Sequence, residues 1–185
     1  SKGRDKFDIL VTGDYLDVSP FVGGMMSGAD GGSLDVPVLL TAALGQLALN
    51  EAYVLKDATV LFAHDGIGVS QARLKGVGSG GNVVLNLQTD DDQVQRILKL
   101  DLPNASDAAF AFFGLESLTG GRLELDATMP ITAIDGPIIG ELTVADMQLV
   151  NAPIMTRILS LASLQGLGDA MAGEGLKFEE VDVPF

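Results

Sequence analysis

The sequence predicts a mainly β fold of the α+β class: a curled antiparallel sheet of about eight to ten strands, with two or three short helices packed on its apolar face. Three observations predict it. Apolar and polar residues alternate with a period of two along most of the chain, the pattern of strands buried on one side. The alternating runs are separated by short turns rich in Gly, Asp and Asn. Helical spacing is confined to a few short stretches. The 185 residues suffice for one domain, 1–185, and with aromatics at 5% and no Trp its core must be aliphatic.

The elements follow in order. "KFDILVTGDYLDV" places Phe7, Ile9 and Val11 on one face of a first strand. Pro20 opens a short helical turn, and the Gly/Met run behind it reads as an irregular loop. "SLDVPVLLTAAL" alternates Leu34, Val36, Val38 and Leu40 against Asp35, Pro37 and Leu39. Pro37 has no ladder N–H, so this strand is expected at an edge or bulged there. Asp65-Gly66 predicts a hairpin between Thr59–His64 and Ile67–Lys75. Val83, Leu85 and Leu87 then share one face. Leu98, Leu100 and Leu102 do the same against Lys99 and Asp101.

"SDAAFAFFGLESLTGG" is helical in spacing. Ser106 is expected to cap it, Ala109, Phe110 and Phe113 to lie on one side, and Gly114 to stop it. "GRLELDATM" is the clearest strand, with Leu123, Leu125, Ala127 and Met129 facing Arg122, Glu124, Asp126 and Thr128 across it. In "GPIIGELTVADMQLV" the apolar phase runs Leu142, Val144, then Met147, Leu149, and the slip near Ala145-Asp146 predicts a bulge. A helix is expected after Asn151 and Pro153, with Ile154, Met155, Ile158, Leu159, Leu161, Ala162 and Leu164 covering most of its wheel. Being apolar nearly all round, it is expected as a covering helix on the sheet. "LKFEEVDVPF" reads as a last strand that stops with the sequence at Phe185.

Charge narrows the partners. A net charge of −14 and a pI near 4.1 repel phosphate backbones, so nucleic acid is not expected. With no Cys there is no disulfide framework, thiol nucleophile or zinc–thiolate site. No stretch reaches the ~18 apolar residues of a membrane span.

No catalytic or metal constellation emerges, and no cofactor is expected. His64, the one histidine, has no nucleophile elbow to serve. Asp90-Asp91-Asp92 lack the alternate spacing and glycine of a calcium loop. "GVGSGG" at 76–81 lacks the Lys-Ser/Thr of a phosphate loop and leads into a strand. Glu179 and Glu180 point to opposite faces. Met25-Met26 hints only at an adaptable contact. What remains is aliphatic strand surface, which serves as core, as a groove for acyl chains, or as a seat for a partner helix.

Asp107-Ala108 at a helix start, Gly120-Gly121-Arg122-Leu123 at a strand start, and the block "NAP…RILSLASLQGL…GEGLKF…PF" together resemble the AsmA-like proteins of Gram-negative bacteria, more narrowly their large YhdP-type branch. The resemblance spans Ser106–Phe185 and is looser over 1–105, where "DYLDVSPF" fits best. Ala109 departs from the glycine usual after Asp-Ala in that family. The resemblance implies a section of a longer, non-enzymatic envelope protein, anchored in the inner membrane and reaching across the periplasm. Its strands would curl into an apolar trough that carries phospholipid to the outer membrane and maintains the barrier. Phospholipid acyl chains are the implied partner. Val83, Leu85, Leu87, Leu123, Leu125, Leu142 and Val144 are the groove candidates, and Ile154, Ile158, Leu159 and Leu161 of the covering helix lie over them. The trough is then expected to continue past Phe185. The alternative is a structural or protein-interaction module of the same protein, without lipid contact.

Overall fold

The structure, a computed structural model, describes residues 6–26, 36–90, 92, 94–131, 137–150 and 176–185. Nine strands form one open, curled sheet in chain order: β1 (Phe7–Asp17), β2 (Pro37–Ala48), β3 (Val54–Asp65), β4 (Val69–Gly78), β5 (Gly81–Thr89), β6 (Gln95–Leu102), β7 (Leu118–Pro130), β8 (Ile139–Leu149) and β9 (Leu176–Pro184). Helix α1 (Ser19–Met26) follows β1, and α2 (Ala105–Phe113) joins β6 to β7. The covering helix expected over Ile154, Ile158, Leu159 and Leu161 lies outside the described residues.

Every neighbouring pair from β2 to β9 is antiparallel, as expected, but β1 runs parallel to β2. A tight hairpin cannot join parallel strands. The chain between Asp17 and Pro37, which opens with α1, is long enough to return to the starting end. Pro37 is neither on an edge strand nor in a bulge. It is the first residue of the internal strand β2, opposite Asp65, and β1 starts pairing only at Phe7↔Val38. A proline is tolerated there, at the first residue of the strand, because the ladder to β1 has not begun.

The turns follow from local chemistry. Between β3 and β4, the Asp65 carboxylate accepts the N–H groups of Ile67 (2.8 Å) and Gly68 (2.9 Å). Between β5 and β6, Asp90 accepts from Val94 and Gln95 in the same way. Helix α2 is capped two residues earlier than expected: Asn104 is the N-cap and accepts from the Asp107 N–H, while Ser106 lies inside the first turn. The Ser106 hydroxyl donates to Asn104 (2.8 Å) and accepts from the Gly120 N–H (3.0 Å), which pins the helix start to β7. Gly114, in the left-handed region at φ 66°, ends the helix as expected.

Register turns the alternation into faces. Val11, Ala42, Val60, Leu74, Leu85, Leu100, Leu125, Leu142 and Val183 are successive partners, so one apolar row crosses all nine strands. A parallel row runs through Ile9, Leu40, Phe62, Ala72, Leu87, Leu98 and Ala127. The opposite, outer face carries Lys99–Asp126 (2.7 Å) and Arg122 paired with Asp101 (2.7 Å) and Glu124 (3.0 Å). These exposed pairs add little stability but keep that face in water.

The slip expected as a bulge in β8 takes another form. Register is unbroken from Leu123↔Val144 through Arg122↔Ala145 to Gly120↔Met147. Positive φ occurs on both strands at the missing rung, 83° at Gly121 and 54° at Asp146. The two strands change phase together, so no residue is left over.

The core is gathered at the α2 end of the inner face. Leu55 (0% exposed), Ala58, Val83, Leu44 and Leu102 are buried there with Tyr53 and Ala108. The far end is open: Phe7 and Ile9 are exposed.

Candidate functional site

The inner face is the site, and the seven groove candidates all lie on it. Val83 is buried, and Leu85, Leu87, Leu123, Leu125, Leu142 and Val144 are half-buried. Their register partners agree: Leu85↔Leu100, Leu87↔Leu98, Leu125↔Leu142 and Leu123↔Val144. Val83, Leu85 and Leu123 border a cavity of about 450 Å³ beneath α2, within the usual range of small-ligand sites. Leu87, Leu125, Leu142 and Val144 lie on the same face beyond it.

The cavity takes its floor from Leu74, Leu85 and Leu100, its wall from Leu49 and Tyr53, and its roof from Ala105, Ala108 and Phe112. Of the side predicted from Ala109, Phe110 and Phe113, Ala109 and Phe113 border the cavity and Phe110 does not, but the deepest contacts come from the neighbouring side. Ala105 and Ala108 are buried and Phe112 packs on the core, while Phe110 is 49% and Phe113 70% exposed. Small alanines bring the helix axis close to Val83 and Leu102, and the cap at Asn104 fixes that rotation.

Five of the residues around the cavity were not among the groove candidates. Leu74 and Leu100 were legible, since each continues the alternation of its strand. Leu49 and Tyr53 flank the β2–β3 turn, where no period exists to read. Phe112 depended on the helix rotation. The Tyr53 and Phe112 rings meet at 5.6 Å between centroids, tilted by 49°. The Tyr53 hydroxyl is buried and finds no partner among the described residues. Burial raises its pKa above the ordinary tyrosine value, and the Asp107 charge adds to the rise.

The other end of the same face is polar. His64 is the register partner of Val38 and so continues the row end beside Phe62 and Leu40. Its Nδ1 accepts the Gly66 N–H at 3.0 Å, which assigns the neutral ring's proton to Nε2. The Thr89 hydroxyl donates to the Ser70 carbonyl (3.3 Å), and Thr89 is the partner of Arg96. Arg96, two residues before Leu98 on an unbroken ladder, falls on the inner face. The Asp65 carboxyl sits below its usual range, held first by the Gly68 N–H and then by that of Ile67, with His64 and Arg96 adding smaller attractions. The Ser70 hydroxyl is spent on the Ala63 carbonyl, so His64 and Ser70 are both committed to the turn. Among the described residues, no group of three His, Asp or Glu side chains converges on a point where a metal ion would sit.

The inner face therefore offers shape and apolarity at one end and a small polar cluster with one guanidinium at the other. Comparisons of the chain with models of protein families, with curated proteins and with solved structures find no match.

Proposed function

We propose that this chain is a non-enzymatic, lipid-contacting section of a periplasmic protein anchored in the inner membrane, in which the inner face of the sheet receives phospholipid acyl chains on their way to the outer membrane. The single observation that supports the reading is the apolar row from Val11 to Val183, continuous over nine strands and opening into the cavity under α2. A face built only to close a core would be covered along its length. Here burial is complete at Leu55 and Val83 and fades toward Ile9 and Val183. The resemblance of Ser106–Phe185 to the AsmA-like proteins supports the envelope setting. The tight closure around Leu55 favours a second reading, a structural module of the same protein without lipid contact.

Photo-crosslinking side chains at Leu85, Leu100 and Leu125, followed by solvent extraction and mass spectrometry, separate the two. Acyl adducts at these inner positions and none at Lys99 or Glu124 on the outer face are expected. No adduct at any of them, with no lipid in the extract, leaves the structural module.

A further inference from the structure

The inner face is not uniform along the strands. From Leu102, under α2, to Arg96, at the open end, β6 rises about 20 Å. That compares with about 15 Å for one acyl layer, half the hydrocarbon thickness of a bilayer. The residues between them on this face, Leu100 and Leu98, are apolar. One end of this lane is apolar, lined by aliphatic side chains with Tyr53 and Phe112. The other holds His64, Thr89 and Arg96.

Arg96 makes no ion pair with any described carboxylate, and Asp65 acts on it only at longer range while accepting two backbone N–H groups. Lys99 and Arg122, in contrast, are both paired on the outer face. The Arg96 guanidinium is drawn over the β3–β4 turn, into space left by Gly68, where a Cβ would stand 2.8 Å from its Nη2. A guanidinium is the side chain suited to a phosphate or carboxylate, through paired N–H donors. In a protein of net charge −14 this local cation on an apolar face is the feature that bulk electrostatics does not supply.

We infer that the lane binds an amphiphile with an anionic phosphate head in one orientation, the head on Arg96 at the β3–β4 turn and the acyl tail running under α2 toward Tyr53 and Phe112. The inference rests on the acyl-contact reading above and adds to it the head-group contact at Arg96 and the orientation of the ligand. The His64 Nε2–H and the Thr89 hydroxyl are the polar neighbours of the head.

The test uses the whole chain with three probes of equal tail, hexadecyl phosphate, hexadecanol and hexadecyl trimethylammonium, each below its micelle concentration. Hexadecyl phosphate is expected to bind about tenfold tighter than hexadecanol, the effect of one charge-assisted contact. The trimethylammonium probe is expected to bind no better than hexadecanol, although the net charge favours it. Arg96→Gln should abolish the phosphate preference and leave hexadecanol affinity unchanged, and Arg96→Lys should keep part of it. Equal binding of all three probes, or a preference untouched in Arg96→Gln, overturns the inference while the acyl reading stands. Binding of none of them overturns the acyl reading beneath it. Displacement of hexadecyl phosphate by equimolar inorganic phosphate also overturns it, because the site would then hold the anion without the tail. The three-probe order is read on the unaltered protein, so the test survives a variant that fails to fold.

Discussion

The side-chain amide of Asn50 donates a hydrogen bond to the backbone carbonyl of Ala111 at 2.9 Å, across 61 residues of sequence. One residue thereby ties the β2–β3 turn to helix α2 and closes the end of the curled sheet. The same amide's oxygen accepts the N–H groups of Ala52 (2.9 Å) and Tyr53 (2.8 Å), so it also shapes the turn that presents Tyr53 to the core. Asn50→Ala should cost about 1–3 kcal/mol in denaturant unfolding, because part-buried backbone groups lose their partners. Asn50→Asp keeps both acceptor bonds but sets a carboxylate against the Ala111 carbonyl. It should release α2 while the turn holds, read as faster amide exchange in α2 than at Tyr53. Equal exchange in the two segments would show that the tie is not what holds them.

Tyr53 carries a cost that substitution can remove. Its hydroxyl is buried beside Val83 and Leu55 and has no described partner. Tyr53→Phe keeps the ring against Phe112 and should be neutral or stabilising by about 1 kcal/mol in thermal unfolding. The hydroxyl's raised pKa has a signed consequence. Below the ordinary tyrosine pKa of 10.0 both states hold the proton and stability is unaffected by pH. Above it the unfolded chain ionises first, so stability falls as pH rises toward the folded value. Tyr53→Phe should flatten that alkaline loss. A variant that melts lower and keeps the full alkaline slope would show that the hydroxyl is bonded.

The two ends of the inner face should answer differently to truncation. Leu55, 0% exposed, is surrounded by the α2-end cluster, so Leu55→Ala should cost about 2–5 kcal/mol. Leu98 sits on the same face but half-exposed, and Leu98→Ala should cost about 1 kcal/mol. Denaturant melts of the pair measure the gradient. Equal large losses would mean that the open end is as closely packed as the core.

Period-two alternation made this face legible, because a strand places residues i and i+2 on one side whatever its partner. Val83, Leu85, Leu87, Leu123 and Leu125 needed no more than that. Alternation does not state which way the neighbour runs, so the parallel pairing of β1 with β2 was hidden. It also carries no information through a turn, so Asn50 and Tyr53 were invisible although Tyr53 lines the cavity and Asn50 ties the turn to α2. The kink at Gly121 and Asp146 was half legible: the phase slip shows in the spacing of Val144 and Met147, but its mirror on β7 is written only as Gly120-Gly121. Arg96 was legible in principle. The Leu98, Leu100, Leu102 series extends back to it, and its charge masks the fact that it shares their face.

Gly68 controls where that charge stands. Its backbone N–H is committed to Asp65, and its φ lies outside the left-handed region, so alanine fits the backbone without strain. The new methyl would meet Arg96 Nη2 at 2.8 Å, closer than real contacts allow, and the flexible guanidinium must move away. Gly68→Ala should therefore change stability by less than about 1 kcal/mol, since a long side chain yields more easily than backbone. It should nevertheless weaken the preference for hexadecyl phosphate over hexadecanol, in the direction of Arg96→Gln and to a smaller extent. Titration of both probes against Gly68→Ala, beside its thermal melt, checks the two halves. A variant with unchanged stability and unchanged preference would show that the position of the guanidinium over the turn does not govern the head group.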